Sequence, residues 1–236
     1  MPHSNSSVRI ITVSLHEQPN RPFATDRQFP VTDNTTHLEQ QLTVITTHIN
    51  ADFDAMASLL AAQKLYPGAV VVFPGSQEKN LRNFFINSMV YLFNMTDIKD
   101  IDFSRVKKLV LVDTRQAKRI GKMAALLNQP DIEIHIYDHH PPAPNDIEGH
   151  YVVHELTGAN VTLLVEKIRK KRVSISADEA TIMGLGVYED TGSFTFPSTT
   201  ERDLKTAAWL LSKGANLNII TDLITRSSLS VISSTK

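Results

Sequence analysis

Apolar residues recur with the periods of strands and helices from Leu42 onward. Leu42, Val44 and Ile45 form a short apolar run that is typical of a buried strand. Later runs of the same character predict four further strands: Ala69–Phe73, Leu109–Val112, Ile132–Tyr137 and Tyr151–Val153. Helical spacing predicts helices at Ala55–Tyr66 and Asn80–Asn94 between these runs. The alternation predicts an α/β fold with a doubly wound, mainly parallel five-stranded sheet flanked by helices.

The second half of the chain has helical periodicity throughout. An apolar stripe recurs at i, i+3, i+4 and i+7: Val161, Leu164, Val165 and Ile168. Ser176 and Glu179 have the spacing of a capping box, which predicts the start of another helix. Thr200 is expected to cap the next helix, ended by Gly214, with four inward residues: Leu204, Ala207, Ala208 and Leu211. A last short helix is predicted around Leu217, Ile220 and Ile224.

Both ends of the chain are polar. Residues 1–41 are rich in Ser, Thr, Asn and Pro, which predicts an irregular leader, with Val8–Leu15 as one added edge strand. Residues 227–236 are rich in Ser and Thr and are expected to form a polar tail. The folded domain is therefore predicted to span residues 42–226.

Composition narrows the classes of protein. With 236 residues, 42% of them hydrophobic, the chain can bury a full core. Basic and acidic residues nearly cancel at 24 against 25, so no overall charge steers the protein to DNA or to an anionic membrane. The absence of cysteine excludes disulfides and thiolate chemistry. No apolar run is long enough to span a bilayer and no secretory signal is present, so we expect a cytoplasmic protein.

Carboxylate and imidazole groups follow three of the predicted strands. His48, Asp52 and Asp54 come after the first strand, and Asp113 follows the third. The run Asp138–His140 (Asp-His-His) follows the fourth. Because the carboxyl ends of parallel strands lie at one edge of the sheet, we expect these groups to converge. Neighbouring carboxylates are costly unless a positive group lies between them, which favours a divalent metal.

Read together, these residues resemble the DHH family of phosphoesterases. Four family motifs occur in order between Leu42 and Arg226: His48-x-Asn50-Ala51-Asp52-x-Asp54-Ala55-x-x-Ser58, Val112-Asp113-Thr114, Asp138-His139-His140 and Asp190-Thr191-Gly192-x-Phe194. The family usually has Pro-Asp-Gly-Asp where this chain has Ala51–Asp54. Two segments, Phe73–Lys79 (FPGSQEK) and Tyr188–Phe196 (YEDTGSFTF), are similar to one subgroup of the family. In that subgroup the DHH module begins long bacterial proteins that continue into CBS domains and a region like tRNA nucleotidyltransferase or poly(A) polymerase.

The resemblance implies a site for two divalent metal ions. One ion would be held by His48, Asp52 and Asp113, and the other by Asp54, Asp113, His139 and Asp190. Asp113 would bridge them, His140 would face the phosphoryl group as a catalytic residue, and Asp138 would orient His139. Carboxylate and imidazole ligands without sulfur suit Mn²⁺, with Co²⁺, Fe²⁺ or Mg²⁺ as lesser options. A water bridging the ions would be the nucleophile.

Two functions stay open at this point. The first is a two-metal phosphoesterase acting on phosphodiester or phosphoanhydride bonds of a phosphorylated small molecule, a nucleotide or short RNA. The second is a non-hydrolytic nucleotide- or RNA-binding module left from a longer tRNA nucleotidyltransferase-type protein. The family's second, substrate-capping domain has no counterpart in the chain, so we expect weak hydrolysis; a homodimer also stays open.

Three features near these motifs are interpreted structurally, and the role of Arg115 stays open. His135 and His154 lie in predicted strands and are expected to be structural histidines. The basic run Lys167–Arg172 is expected to be a solvated helix end, because it lacks interleaved aromatic residues that would stack on bases. Arg115 could contact a substrate phosphate or form a surface salt bridge.

Overall fold

The computed structural model describes residues 41–75 and 90–233, with side chains described up to residue 225. These residues belong to the second of two compact units, which comprises residues 38–236. The predicted leader with its strand at Val8–Leu15 lies outside the described residues, apart from residue 41. Most of the predicted helix over Asn80–Asn94 also lies outside the described residues. Its described part contains a 3₁₀ turn at Val90–Leu92.

The described core is a five-stranded sheet in which every pairing is parallel. The strands are β1 (Leu42–Thr46), β2 (Val70–Val72), β3 (Val106–Val112), β4 (Glu133–Asp138) and β5 (Tyr151–His154). Their order in the sheet is β2-β1-β3-β4-β5, which confirms the predicted doubly wound fold. The winding direction changes between β1 and β3, so a crevice forms beyond their carboxyl ends, where ligands bind in this kind of sheet.

Within the described residues, five α-helices flank the sheet: α1 (Phe53–Leu65), α2 (Asn160–Lys170), α3 (Ala177–Asp190), α4 (Glu201–Ser212) and α5 (Leu217–Ser233). Helix α1 packs against both α2 and α3, and its first ten residues are all buried. The opposite face of the sheet is covered mainly by short 3₁₀ segments: Ile98–Asp100, Phe103–Arg105, Ala117–Arg119 and Gly121–Asn128. Because both faces are covered, the central strands are almost continuously apolar.

A glycine sets the spacing between α1 and α3. A Cβ atom added to Gly186 would lie 2.6 Å from the Cβ of Ala57 and 3.1 Å from the Cα of Asp54. Only glycine therefore permits this approach of the two helices. The close contact brings the C-terminal turn of α3 beside the N-terminal turn of α1.

The prediction of which face of α4 is buried was wrong. Leu204 and Leu211 were expected inside, but they are 52% and 49% exposed, and Ala208 is exposed as well. The buried residues are Asp203, Thr206 and Leu210. The helix is turned this way because the carboxylate of Asp203 accepts hydrogen bonds from the domain interior, including 2.8 Å from the amide of Gly158.

The C-terminal helix is longer than predicted. Helix α5 continues to Ser233, so most of the segment 227–236, expected to be a polar tail, is helical. Among the residues that the structure describes, no helix combines the length and the apolar character that crossing a bilayer requires.

Candidate metal centre

All six predicted metal ligands lie together at the carboxyl edge of the sheet. They come from the loops after β1, β3 and β4, from the first turn of α1, which carries Asp54, and from the last residue of α3. Potential ligand atoms lie within 4.8 Å of one another in three overlapping groups: His48, Asp52 and Asp113; Asp54, His139 and Asp190; and Asp113, His139 and His140. The first two groups correspond to the two ion positions implied by the family resemblance. The third group places Asp113 beside His139, as the resemblance implies, and also beside His140.

The loop after β1 is fixed by the N-terminus of α1. Asp52 is the N-cap residue, and its Oδ1 accepts a hydrogen bond from the amide of Ala55 at 2.9 Å. The carboxylate of Glu189 accepts a second bond from the amide of Phe53 at 2.7 Å. Phe53 is the buried first residue of the helix, so this loop does not need the glycine that the family pattern usually has there. This role of Glu189 was not predicted from the sequence, although Glu189 directly precedes the predicted ligand Asp190.

Asp54 is held by the N-terminus of α2. Its Oδ2 accepts a hydrogen bond from the amide of Asn160 at 2.7 Å, and its Oδ1 accepts one from Val161 at 3.0 Å. The Asn160 side chain also donates to Ser58 at 2.9 Å, which ties α1 to α2. Burial, together with the charges of Asp113 and Asp190, raises the pKa of Asp54 well above its usual value. The two backbone amides thus fix the Asp54 carboxylate close to other negatively charged groups.

Asp113 lies between two histidines. Its Oδ2 is 3.1 Å from Nε2 of His48, and its Oδ1 is 3.4 Å from Nε2 of His139. The residue is 3% exposed and has a left-handed backbone (φ 58°), with its amide donating to the carbonyl of Tyr137. Within the described part of the chain, Oδ1 has no hydrogen-bond partner. Burial alone would raise the pKa of Asp113, but the attraction of His139 and His48 lowers it.

Backbone carbonyls determine which nitrogen of each histidine faces the carboxylates. Nδ1 of His48 is 2.9 Å from the carbonyl of Ile49, and Nδ1 of His139 is 2.9 Å from the carbonyl of Thr157. A carbonyl oxygen only accepts, so Nδ1 carries the proton in both rings. In a neutral ring, Nε2 then presents a lone pair to the carboxylates. A proton or a cation must therefore lie between each Nε2 and the carboxylates. Histidines that bind a metal through one ring nitrogen commonly donate a hydrogen bond from the other nitrogen to a carbonyl, as Nδ1 does here.

The pKa shifts at the site follow from this concentration of charge. Burial opposes protonation of His139, but its contact with Asp113 and the charge of Asp54 raise its pKa to about 10. The pKa of His48 is also raised, since Asp113 outweighs the effect of burial. Burial and the charge of Asp113 raise the pKa of Asp52. For Asp190, burial is the largest cause of a rise to about 6, to which Asp113 also contributes.

These groups fit divalent metal ions. Four carboxylates and two imidazoles supply only oxygen and nitrogen donors, which suits Mn²⁺ and its neighbours. The buried Oδ1 of Asp113 lacks a hydrogen-bond donor, as a ligand atom would. Cations at the two positions would also remove the repulsion that raises the carboxylate pKa values.

The predicted partner of Asp138 was wrong. Asp138 was expected to orient His139, but its Oδ1 is 2.8 Å from Nδ1 of His140. Adjacent residues leave a strand end in different directions, so only one of the two rings can reach this carboxylate. His139 is oriented by the carbonyl of Thr157 instead. The side chain of His140 is 43% exposed, and its Nε2 is free of the bond to Asp138.

Arg115 forms an internal ion pair. Its Nε donates to Oδ2 of Asp138 at 2.7 Å, and its Nη2 donates to the carbonyl of His140 at 2.9 Å. Of the two alternatives, the structure thus shows a salt bridge, but a buried one. His154 donates from Nε2 to the same carbonyl at 2.7 Å, and His135 contacts Tyr66 and Glu133, so both are structural as predicted.

The loop that carries Thr157 is held by Asp203. The Oδ2 of Asp203 accepts from the amide of Gly158, and its Oδ1 accepts from Ala159 at 3.3 Å and from the Thr162 hydroxyl at 2.7 Å. A Cβ on Gly158 would lie 2.7 Å from Cγ2 of Thr191, so glycine is needed at this position. Sequence reasoning missed this support, because the group that reaches His139 is a backbone carbonyl.

Most of the chain is similar to known proteins. Residues 42–187 match the DHH family, N-terminal domain. An A-adding tRNA nucleotidyltransferase of Geobacter sulfurreducens is 47% identical over 183 residues, which cover 78% of this chain and 21% of that protein. The chain therefore spans about a fifth of that relative's length. Both matches confirm the resemblance drawn from the four motifs.

Two further proteins are similar over most of the chain. A bifunctional oligoribonuclease and PAP phosphatase of Mycoplasma genitalium is 27% identical over 188 residues, covering 79% of this chain and 58% of that protein. The crystal structure of an exopolyphosphatase-related protein from Bacteroides fragilis superposes with a TM-score of 0.61. It is 19% identical, and the match covers 78% of this chain and 56% of that one, which supports the fold.

Proposed function

The chain belongs to the DHH family, and we propose that it is a metal-dependent phosphoesterase that cleaves phosphodiester or phosphoanhydride bonds in nucleotides or short RNA. One observation carries the proposal. The Asp113 carboxylate offers one oxygen to each of two histidines, at 3.1 Å and 3.4 Å, between two groups of ligand atoms. A carboxylate in this position is suited to bridge two ions.

The ligands for these ions are the six residues already described. His48, Asp52 and Asp113 would hold one ion, and Asp54, Asp113, His139 and Asp190 would hold the other. Divalent ions held by these residues would supply Lewis-acid chemistry, that is, activation of a water molecule and neutralisation of charge on the phosphoryl oxygens.

His140 is suited to contact the substrate. Its Nδ1 is committed to Asp138, so the exposed Nε2 points away from that carboxylate and is available to a phosphoryl oxygen. Asp138 fixes the orientation of the ring, while Arg115 fixes Asp138. In this orientation His140 can donate a hydrogen bond to the phosphoryl group as negative charge develops there, or a proton to the leaving oxygen.

The substrate class is supported by the relatives. The similar Mycoplasma protein is named an oligoribonuclease and PAP phosphatase, and both activities cleave phosphate esters of nucleotides. The Geobacter relative is named for a different reaction on tRNA, but this chain matches only 21% of it. The complete ligand set favours hydrolysis over the alternative of a non-hydrolytic binding module, because a module without catalysis has no need of every carboxylate.

The test is hydrolysis of bis(p-nitrophenyl) phosphate and of a short oligoribonucleotide with Mn²⁺. We expect turnover that disappears with EDTA and falls at least about 10²-fold in Asp113→Asn, the range that metal-assisted steps supply. Asp131→Asn, the same substitution at an exposed residue outside the cluster, is the control and should keep the wild-type rate. Folded, metal-loaded protein that cleaves neither substrate but binds the oligoribonucleotide would favour the non-hydrolytic module.

A further inference from the structure

A second concave region lies at the other end of α1 and α2 from the metal centre. We call it the tyrosine cleft; it has a volume of about 570 Å³ and its walls include Tyr66, Tyr137, Tyr151, Lys167, Lys170 and Lys171. Tyr66 follows Asp54 by twelve residues along α1, which places it about 18 Å away at the helical rise. The tyrosine cleft is therefore separate from the metal ligands. Its volume is in the range of small-molecule sites.

Aromatic rings form one wall of the tyrosine cleft. The Tyr151 ring, on the edge strand β5, lies 5.2 Å from the ring of His135 and 5.9 Å from that of Tyr137. Behind them the Tyr66 hydroxyl contacts Nδ1 of His135 at 2.6 Å and the Tyr137 hydroxyl at 2.9 Å. These contacts fix the inner rings, while Tyr151 stays 41% exposed. The result is a rigid aromatic surface that is accessible from one side.

Lysines form the other wall. Lys167, Lys170 and Lys171 lie in and just after the last turn of α2, and Nζ of Lys167 is 5.8 Å from the centre of the Tyr151 ring. Among the described residues, neither Lys170 nor Lys171 forms an ion pair. The carboxylate of Glu133 contacts His135, but its other oxygen is paired with Lys108 at 3.1 Å. The lysines therefore face the tyrosine cleft with their charge uncompensated.

Most of the basic run at the end of α2 is exposed, as expected from the sequence, but the fold adds an aromatic wall that the sequence did not indicate. The basic run Lys167–Arg172 was interpreted as a solvated helix end because no aromatic residues are interleaved with it. The helix dipole accounts for lysines at this end of α2, but not for an aromatic wall opposite them. The fold supplies that wall from α1, β4 and β5, which are distant in sequence. Aromatic rings beside cationic groups are the usual combination in sites for single-stranded nucleic acids.

We infer that the tyrosine cleft binds a nucleotide unit, with its base stacked on Tyr151 and its phosphate between Lys170 and Lys171. The unit could be a free nucleotide or part of a single-stranded RNA, since both present the same base and phosphate. An acidic peptide would satisfy the lysines but would make no use of the exposed ring. The inference concerns binding alone and does not depend on whether the metal centre is hydrolytic.

The test is equilibrium binding of fluorescein-labelled octa-adenylate RNA to the full chain in EDTA, where metal-dependent cleavage is absent. Tyr151→Ala should weaken binding on the order of tenfold, the typical loss of one stacked base. The double variant Lys170→Ala/Lys171→Ala should weaken it and reduce the salt-dependence slope by about 0.7 per lost phosphate contact. Competition by 5′-AMP would assign the site to a free nucleotide, and competition only by unlabelled octamer would assign it to a strand.

A matched control exists elsewhere on the surface. Lys213 lies at the end of α4 with its Nζ 5.3 Å from the centre of the Trp209 ring, so Lys213→Ala removes an equivalent cation outside the tyrosine cleft. It should bind RNA like the wild type. Wild-type binding by Tyr151→Ala, with its fold verified by circular dichroism, would overturn the inference. So would equal competition by a polyglutamate peptide, because that would assign the lysines to an acidic polypeptide.

Discussion

The carboxylate of Asp138 contacts Nδ1 of His140 at 2.8 Å, although His139 precedes that residue and was the expected partner. The other oxygen of Asp138 is held by Arg115 at 2.7 Å. The series of contacts from Arg115 through Asp138 thus ends at the exposed ring of His140, whereas His139 is held by the carbonyl of Thr157. The proposed roles of metal ligand and phosphoryl contact therefore fall on adjacent residues with separate supports, and variants can distinguish them.

Asp138→Asn is expected to slow turnover while leaving the metal content unchanged. The change replaces the carboxylate that Arg115 holds and that orients the His140 ring, and a positioned general acid contributes on the order of 10²-fold or more. His140→Ala should have the same phenotype. The measurement is kcat for bis(p-nitrophenyl) phosphate beside metal content by mass spectrometry. Loss of metal in either variant would contradict this assignment of roles.

Metal removal is expected to lower the thermal stability. A ligand that binds only the folded state at about 100 times its Kd stabilises by about 2.7 kcal/mol. For a domain of this size that amounts to roughly 5–10 °C in Tm. Calorimetry with Mn²⁺ and then with EDTA measures the shift. Asp113→Asn is the control and should show no metal-dependent shift; an unchanged wild-type Tm would count against a metal centre.

Asp203→Asn is expected to destabilise the protein by about 1–3 kcal/mol at pH 7, because an amide cannot accept all the hydrogen bonds that the carboxylate accepts. Burial would raise the pKa of Asp203, but bonds from Thr200 and Thr162 lower it. The unfolded-state pKa is about 3.9, so the stabilisation is present above that pH and is lost as the pH falls through the folded-state pKa.

Urea unfolding at pH 7 and at pH 4 and below measures this difference for Asp203. The gap between wild type and Asp203→Asn should narrow as the pH falls. Asp131→Asn, at an exposed turn residue with φ 62°, is the matched control and should change little, because asparagine tolerates this backbone. A gap for Asp203→Asn that does not depend on pH would show that its charge is not the cause.

Gly186→Ala is expected to cost about 1–3 kcal/mol, since the new methyl group would overlap Ala57 and the backbone of Asp54. The same helix offers a matched control. At Gly184 the nearest atom to a new Cβ is the end of the Ile220 side chain, at 2.9 Å, and that side chain can move. Gly184→Ala should therefore cost less in urea unfolding. Equal losses of stability in Gly186→Ala and Gly184→Ala would show that the close approach of α1 and α3 does not restrict the side chain at residue 186.

The fold and the position of the site could be predicted from local pattern. Strand and helix periods gave the five parallel strands, and the rule that parallel strands end at one edge brought Asp113 beside His48. The capping box at Ser176 and Glu179 also forms as predicted. These features depend on short-range spacing, which a single sequence displays.

The remaining errors have a common physical origin. The face of α4 is set by Asp203, a buried charge whose donors are backbone amides distant in sequence. The orientation of His139 depends on the carbonyl of Thr157, and the tyrosine cleft joins residues from four elements. None of these contacts produces a periodic pattern or a motif, so only the packed structure shows them.

The most direct test of the metal centre is the number of Mn²⁺ ions per chain, counted by native mass spectrometry in the wild type and three variants. Asp113 lies between the two groups of ligands, so we predict two ions in the wild type and none in Asp113→Asn. His48→Ala and His139→Ala should each retain one ion, because each removes a ligand from a single position. A folded wild-type protein without bound Mn²⁺, or an Asp113→Asn variant that keeps both ions, would contradict the bridged two-metal centre.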